Sequence, residues 1–105
     1  YYDIHILNVN ISRATLDVAS KFNKFLIGMI NKDKNKIIVN LTNCDYIDSS
    51  ILGALVSGVK KAITMEGDLR IVVRNQSEYS MFSLTKMDNI FQIFSNLKDA
   101  VNSFS

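Results

Sequence analysis

Apolar and polar positions alternate from Ile4 to Ile11, with Ile4, Ile6, Val9 and Ile11 set against His5, Asn8 and Asn10; this two-residue period predicts a half-buried strand. The period then lengthens. From Arg13 to about Asn31 the residues Val18, Phe22, Phe25, Leu26, Met29 and Ile30 recur every three or four positions. That spacing predicts a long amphipathic helix packed on a sheet, with Ser12 as its N-cap and Asp17 favouring the dipole. Asn31 to Lys36 is a polar connector into the β-branched run Ile37-Ile38-Val39, which reads as a buried strand ending near Leu41. Turn-forming residues Thr42-Asn43-Cys44-Asp45 follow, and Tyr46-Ile47 returns to the core.

After Asp48 the helical period resumes. Leu52, Leu55, Val56, Val59 and Ile63 share one face of a helix running from about Ser49 to Glu66, with Lys60 and Lys61 near its negative end and Gly67 in the stop position. Leu69–Val73 predicts another buried strand, and Ser77–Lys86 a short helix with Met81, Phe82 and Leu84 inward. Ile90–Phe94 predicts a short final strand around Gln92, and Leu97–Phe104 a closing amphipathic helix. The order is β-α-β-α-β-α-β-α. Helix-length crossovers make neighbouring strands mostly parallel, so the fold class is α/β: a mixed, mostly parallel sheet of four to five strands packed against helices.

A length of 105 residues bounds this to one domain over residues 1–105, and 48% hydrophobic with 21% charged residues fits an ordinary folded protein. The chain starts at Tyr1 with no Met before it, as expected either of a trimmed chain or of a domain cut from a longer protein. A net charge of +2 is too small to argue for nucleic acid, and the local cluster Lys32, Lys34 and Lys36 reads as a solvated loop. Cys44 is the only cysteine and His5 the only histidine, which excludes an internal disulfide and the usual zinc cage. Cys44 reads as a small buried hydrophobe and His5 as a surface or edge residue. No apolar run is long enough to span a bilayer and no signal-peptide pattern stands at the start, so the expected compartment is the cytoplasm.

Candidate chemistry concentrates where strand hands over to helix, at Asp48-Ser49-Ser50. Asp48 or Ser49 is the expected N-cap, and such a junction offers unpaired N–H groups and a positive dipole end beside two hydroxyls, where a phosphate is accepted readily. A plain helix cap is the simpler reading of Ser49. Within the second helix, Gly53 and Gly58 cost propensity and so imply close approaches. For Gly53, contact with a partner and packing on the sheet stand level; for Gly58, packing is preferred. A phosphate-cradling Gly-rich loop, a nucleophile paired with a base and a metal cluster are all missing from the sequence, so the chain is not expected to be an enzyme or to need a cofactor.

The stretch Asp48-Ser49-Ser50-Ile51-Leu52-Gly53, placed after a hydrophobic strand, resembles the motif Asp-Ser-Ser/Thr-Gly-Leu-Gly of the STAS domain, named for sulfate transporters and anti-sigma factor antagonists. Ile11-Ser12-Arg13-Ala14-Thr15 is similar to the start of that family's first helix, Val73-Arg74-Asn75-Gln76-Ser77 to its exit from a central strand, and Leu84-Thr85-Lys86-Met87-Asp88-Asn89-Ile90-Phe91 to its Leu-Thr-Gly-Leu-Asp-Lys-Ile-Phe segment. The resemblance covers nearly the whole chain. It implies a STAS-type fold and an anti-sigma factor antagonist: a protein-binding switch in bacterial transcription control. Unphosphorylated, such a protein binds an anti-sigma factor that is also a serine kinase; phosphorylation of the serine after the motif Asp releases it, and a serine phosphatase resets it. The resemblance places the phosphoacceptor at Ser49 and the partner-binding surface at Asn10, Ser12, Asp48, Ser49, Ser50, Ile51, Leu52 and Gly53. Nucleic acid and direct membrane insertion are not implied. The alternative is a STAS scaffold or regulatory subunit without phospho-switching, in a stress-signalling assembly or beside a transporter or lipid-transport ATPase.

Four positions depart from the family pattern. Ile51 and Val9 stand where glycine is usual, Ser12 where an Asp is usual, and Lys86 where a turn glycine is usual. The expectation at Ile51 is added bulk at the point a kinase approaches.

Overall fold

A computed structural model describes residues 4–9, 13–14, 16–32, 36–44, 46–47, 49–74, 82–84, 86 and 89–104, with backbone only at 13–14, 16–18, 46–47 and 49. Four strands form the main sheet: β1 (Ile4–Asn8), β3 (Lys36–Asn40), β5 (Asp68–Val72) and β6 (Ile93–Phe94), in the order β1-β3-β5-β6 and parallel throughout. Helices α1 (Leu16–Asn31) and α2 (Ser49–Thr64) are the crossovers, and α3 (Leu97–Asn102) closes the chain. A second, two-stranded sheet pairs β2 (Arg13–Ala14) with β4 (Tyr46–Ile47), again in parallel.

The central strand shows why the sequence folds this way. Ile37, Ile38 and Val39 are all fully buried, since β3 is flanked by β1 and β5 and covered on both faces. Alternation then divides the core in two. Ile37, Val39 and Leu41, with Leu69, Ile71 and Val73 of the β5 segment, face α1 and α2 together with Leu26, Ile30, Leu55 and Val59. Ile38 and Val72 point the other way, against Ala100, Leu97, Val101 and Phe104 of the α3 segment. Because the strands are parallel and both crossovers pack on the same side, α1 and α2 run parallel to each other.

The helices touch where a side chain is missing. A Cβ built on Gly58 would overlap Leu26 Cδ2 and lie 3.1 Å from both Leu26 Cγ and Leu69 Cδ1. Packing is therefore the reason for glycine at this position. Below the sheet Arg70 lies between two partners, its Nε donating to Asp68 Oδ2 at 3.1 Å and its Nη1 to Ser103 Oγ at 2.6 Å. Its guanidinium carbon also sits 3.9 Å from the ring centroid of Phe104, tying α3 to β5. Phe82 and Phe91 pack edge to face, with centroids 6.2 Å apart.

Several expectations are corrected. The first helix starts at Leu16 rather than Arg13, because Arg13–Ala14 pairs as a strand with Tyr46–Ile47, so Ser12 does not adjoin the helix. Phe25 is 57% exposed, since it lies about 100° around the helix from its neighbour Leu26, which takes the core position. Ile63 is likewise 57% exposed while Ala62 is fully buried, and Leu84 is 84% exposed although Phe82 is inward as expected. The helix stop is also displaced by one residue. Glu66, at φ 62°, takes the left-handed position, and Gly67 donates to Ala62 O at 2.8 Å while Glu66 donates to Ile63 O at 3.0 Å. That is the paired 6→1 and 5→2 closure of a Schellman end, with glutamate where glycine is usual. Lys86, at φ 63°, also adopts left-handed backbone, which fits its place at a turn glycine of the family pattern. Met81 and Val18 lie outside the described side chains.

Candidate functional site

The start of α2 is built by three pieces of chain. Leu41, fully buried, donates its N–H to Val72 O at 2.9 Å and ends β3, after which Cys44 donates to Leu41 O at 3.0 Å and closes a tight turn. The Cys44 side chain is buried, and its Sγ lies 3.4 Å from Val9 O, so it anchors the turn beneath the end of β1. Val9 itself is 8% exposed and donates to Asn40 O at 3.0 Å: the residue at the family's glycine position fills core space here. Next come the two rungs of β2 and β4, which hold Arg13–Ala14 alongside Tyr46–Ile47 immediately before α2. Nothing in the hydrophobic pattern signalled this ladder, since two residues are too few to show a period.

Ser49 is the first residue of α2. Its backbone therefore stands in the helix's first turn, where N–H groups lack intrahelical acceptors and the dipole is positive; no acidic residue occupies that turn to use up the field. Asn10, Ser12 and Asp48 lie outside the described residues. The remaining four divide by face. Ile51 and Leu52 turn inward, 2% and 5% exposed, and join the core below the sheet-facing side of α2. The surface bulk expected of Ile51 is thus buried bulk, and neither side chain is presented to a docking molecule. Ser50 is half-buried and Gly53 exposed, with open space where a Cβ would stand.

Ser50 and Gly53 open onto a groove between the two crossover helices. Ala19, Ser20 and Asn23 of α1 form one wall and Ser50, Gly53, Ala54 and Ser57 of α2 the other, bordering an open depression of about 400 Å³. Among the described residues the walls carry hydroxyls, an amide and small apolar groups but no charge. Asn23 Oδ1 is buried without a hydrogen-bond partner among the described residues, leaving an acceptor in one wall. Sequence reasoning singled out Gly53 but not Ser20, Asn23 or Ser57. The recurrence of small residues at 50, 53, 54 and 57 was the available signal. A groove lined this way, adjoining a helix start, suits the close approach of another backbone. No group of metal-ligating side chains occurs among the described residues, and none of the described helices is long and apolar enough to cross a membrane.

Comparison with known proteins agrees with this architecture. The model of the STAS domain family matches residues 10–100. The Thermotoga neapolitana protein named "Putative anti-sigma factor antagonist TM1081 homolog" is 31% identical over 93 residues, spanning 89% of this chain and 79% of that protein. The Thermotoga maritima "Putative anti-sigma factor antagonist" is 32% identical over the same shares. The crystal structure of the Thermotoga maritima protein superposes with a TM-score of 0.82 at 26% identity, covering 98% of this chain and 88% of that one. The chain belongs to the STAS domain family.

Proposed function

We propose that this chain is an anti-sigma factor antagonist working by partner switching in the cytoplasm, a binding module and not a catalyst. Its unphosphorylated form binds an anti-sigma factor that is also a serine kinase. Transfer of the γ-phosphoryl group of ATP to the Ser49 hydroxyl, with ADP leaving, ends that binding; a serine phosphatase restores the hydroxyl by hydrolysis to inorganic phosphate. The observation that supports this reading is the position of Ser49 as the first residue of α2, next to a neutral groove. A phosphoryl group there adds about −1.5 to −2 charge where the helix start favours it, so the scaffold tolerates what the docking surface does not. The burial of Ile51 supports this reading, because its side chain adds no bulk at the surface a kinase would approach.

The test is incubation with a serine-kinase anti-sigma factor and ATP, read by intact mass. One phosphate on the wild type and none on Ser49→Ala is the expected result. An unmodified wild type, or a phosphate that persists in Ser49→Ala, would overturn the proposal.

A further inference from the structure

Lysines dispersed along the chain are gathered by the fold. Since α1 and α2 lie side by side on one sheet face, their exposed residues share an outer surface. Lys21, Lys24, Lys32 and Lys60 are exposed there and Lys61 is half-buried. Residues 16–32 and 49–66 carry these five lysines against only Asp17 and Glu66, a larger positive excess than the +2 of the whole chain. Among the described residues the ion pair of Arg70 with Asp68 does not involve them.

The layer is polarised along its length. The parallel helices place the neutral groove and Ser49 at one end. Lys24, Lys32, Lys60 and Lys61 belong to the other half, where Phe25 and Ile63 are each 57% exposed.

Two features select an occupant. Lysine is a compact point charge without the planar fork that reads a single carboxylate or phosphate, so four of them spread over the two helix halves suit an extended anionic surface better than a shaped ligand. Phe25 and Ile63 would each need a matching pocket on a protein partner, whereas the headgroup zone of a bilayer accepts such side chains wherever they fall. We infer that the outer face of the C-terminal halves of α1 and α2 rests on an anionic lipid surface. The contact is peripheral, with no helix inserted. It leaves Ser49 free, because the helical rise sets residue 49 roughly 18 Å along the axis from residue 61. This inference does not depend on phosphorylation.

Co-sedimentation of the whole chain with vesicles tests it, using phosphatidylcholine alone and an equimolar mixture with phosphatidylglycerol. Binding is expected only to the mixed vesicles and falls as salt is raised. The combined Lys24→Glu, Lys32→Glu and Lys60→Glu variant should lose on the order of 100-fold or more in partitioning while keeping the wild-type circular dichroism spectrum. Phe25→Ser with Ile63→Ser should weaken binding without removing its salt dependence, a second readout at positions whose side chains are more than half exposed. Equal binding to both vesicle types, or a folded triple variant that binds like the wild type, would overturn the inference. So would salt-sensitive retention on immobilised polyglutamate with no vesicle binding, which would assign the face to an acidic protein instead.

Discussion

Two glycines in one helix stand in opposite environments, and their substitutions should differ in sign. Open space surrounds Gly53, so Gly53→Ala gains helix propensity alone and should raise stability by about 1 kcal/mol. At Gly58 the same methyl group meets Leu26 and Leu69, both fully buried. Overpacking of about 1–3 kcal/mol then outweighs the propensity gain, and Gly58→Ala should lower stability. Urea denaturation of the two variants checks the pair. Ile51 gives a second case. Restoring the family's residue with Ile51→Gly would remove a side chain that is 2% exposed, and the cavity and propensity terms together should cost about 3–5 kcal/mol by the same measurement. An isolated sequence motif suggests that glycine is the better residue here; the packing around this position makes it the worse one.

Helix ends and helix attachments carry the next set of consequences. Glu66 holds a left-handed backbone at the end of α2, a conformation that costs an L-residue roughly 1 kcal/mol. Glu66→Gly should raise the melting temperature, because Gly67 already completes the hydrogen bonds of that end. α3 has six residues, too few to be stable alone, and it depends on a small apolar cluster and on Arg70. Arg70→Met removes the bond to Ser103 and the contact with Phe104. Native-state hydrogen exchange should then show faster opening of residues 97–104, by about 1–2 kcal/mol, with α1 and α2 little changed. Elements with about four turns of clear periodicity were legible in the sequence, as α1 and α2 show. Their rotation was less so, because neighbours such as Phe25 and Leu26, or Ala62 and Ile63, compete for one inward position and composition does not say which wins. Ala62 illustrates the difficulty: a small residue contributes little to a hydrophobic pattern yet fits best where a helix meets its neighbour.

Across the whole molecule, the parallel α/β order followed from strand runs separated by helix-length segments, and the described sheet agrees with it. The candidate site was only half legible. Residue type and order pointed to the beginning of α2, but the groove needs both crossover helices brought together, and no spacing within one segment encodes that. Partner switching further requires that charge at residue 49 alter docking without loosening the domain. Ser49→Asp should therefore keep a melting temperature within a few degrees of the wild type, since the helix start favours an acid, while affinity for the anti-sigma factor falls on the order of tenfold or more. Calorimetric melting beside a titration with the anti-sigma factor separates the two effects.

The two rungs between Arg13–Ala14 and Tyr46–Ile47 have a consequence for how this surface evolves. They yoke the stretch leaving the first strand to the stretch that launches α2, so that neither can be re-aimed alone. A change at position 13 or 14 shifts the angle from which residue 49 is offered, and a compensating change should appear at 46 or 47. Across relatives, these four sites should vary as a set, and a chimera that takes one stretch from another family member without its mate should present a misaligned serine on an otherwise sound scaffold.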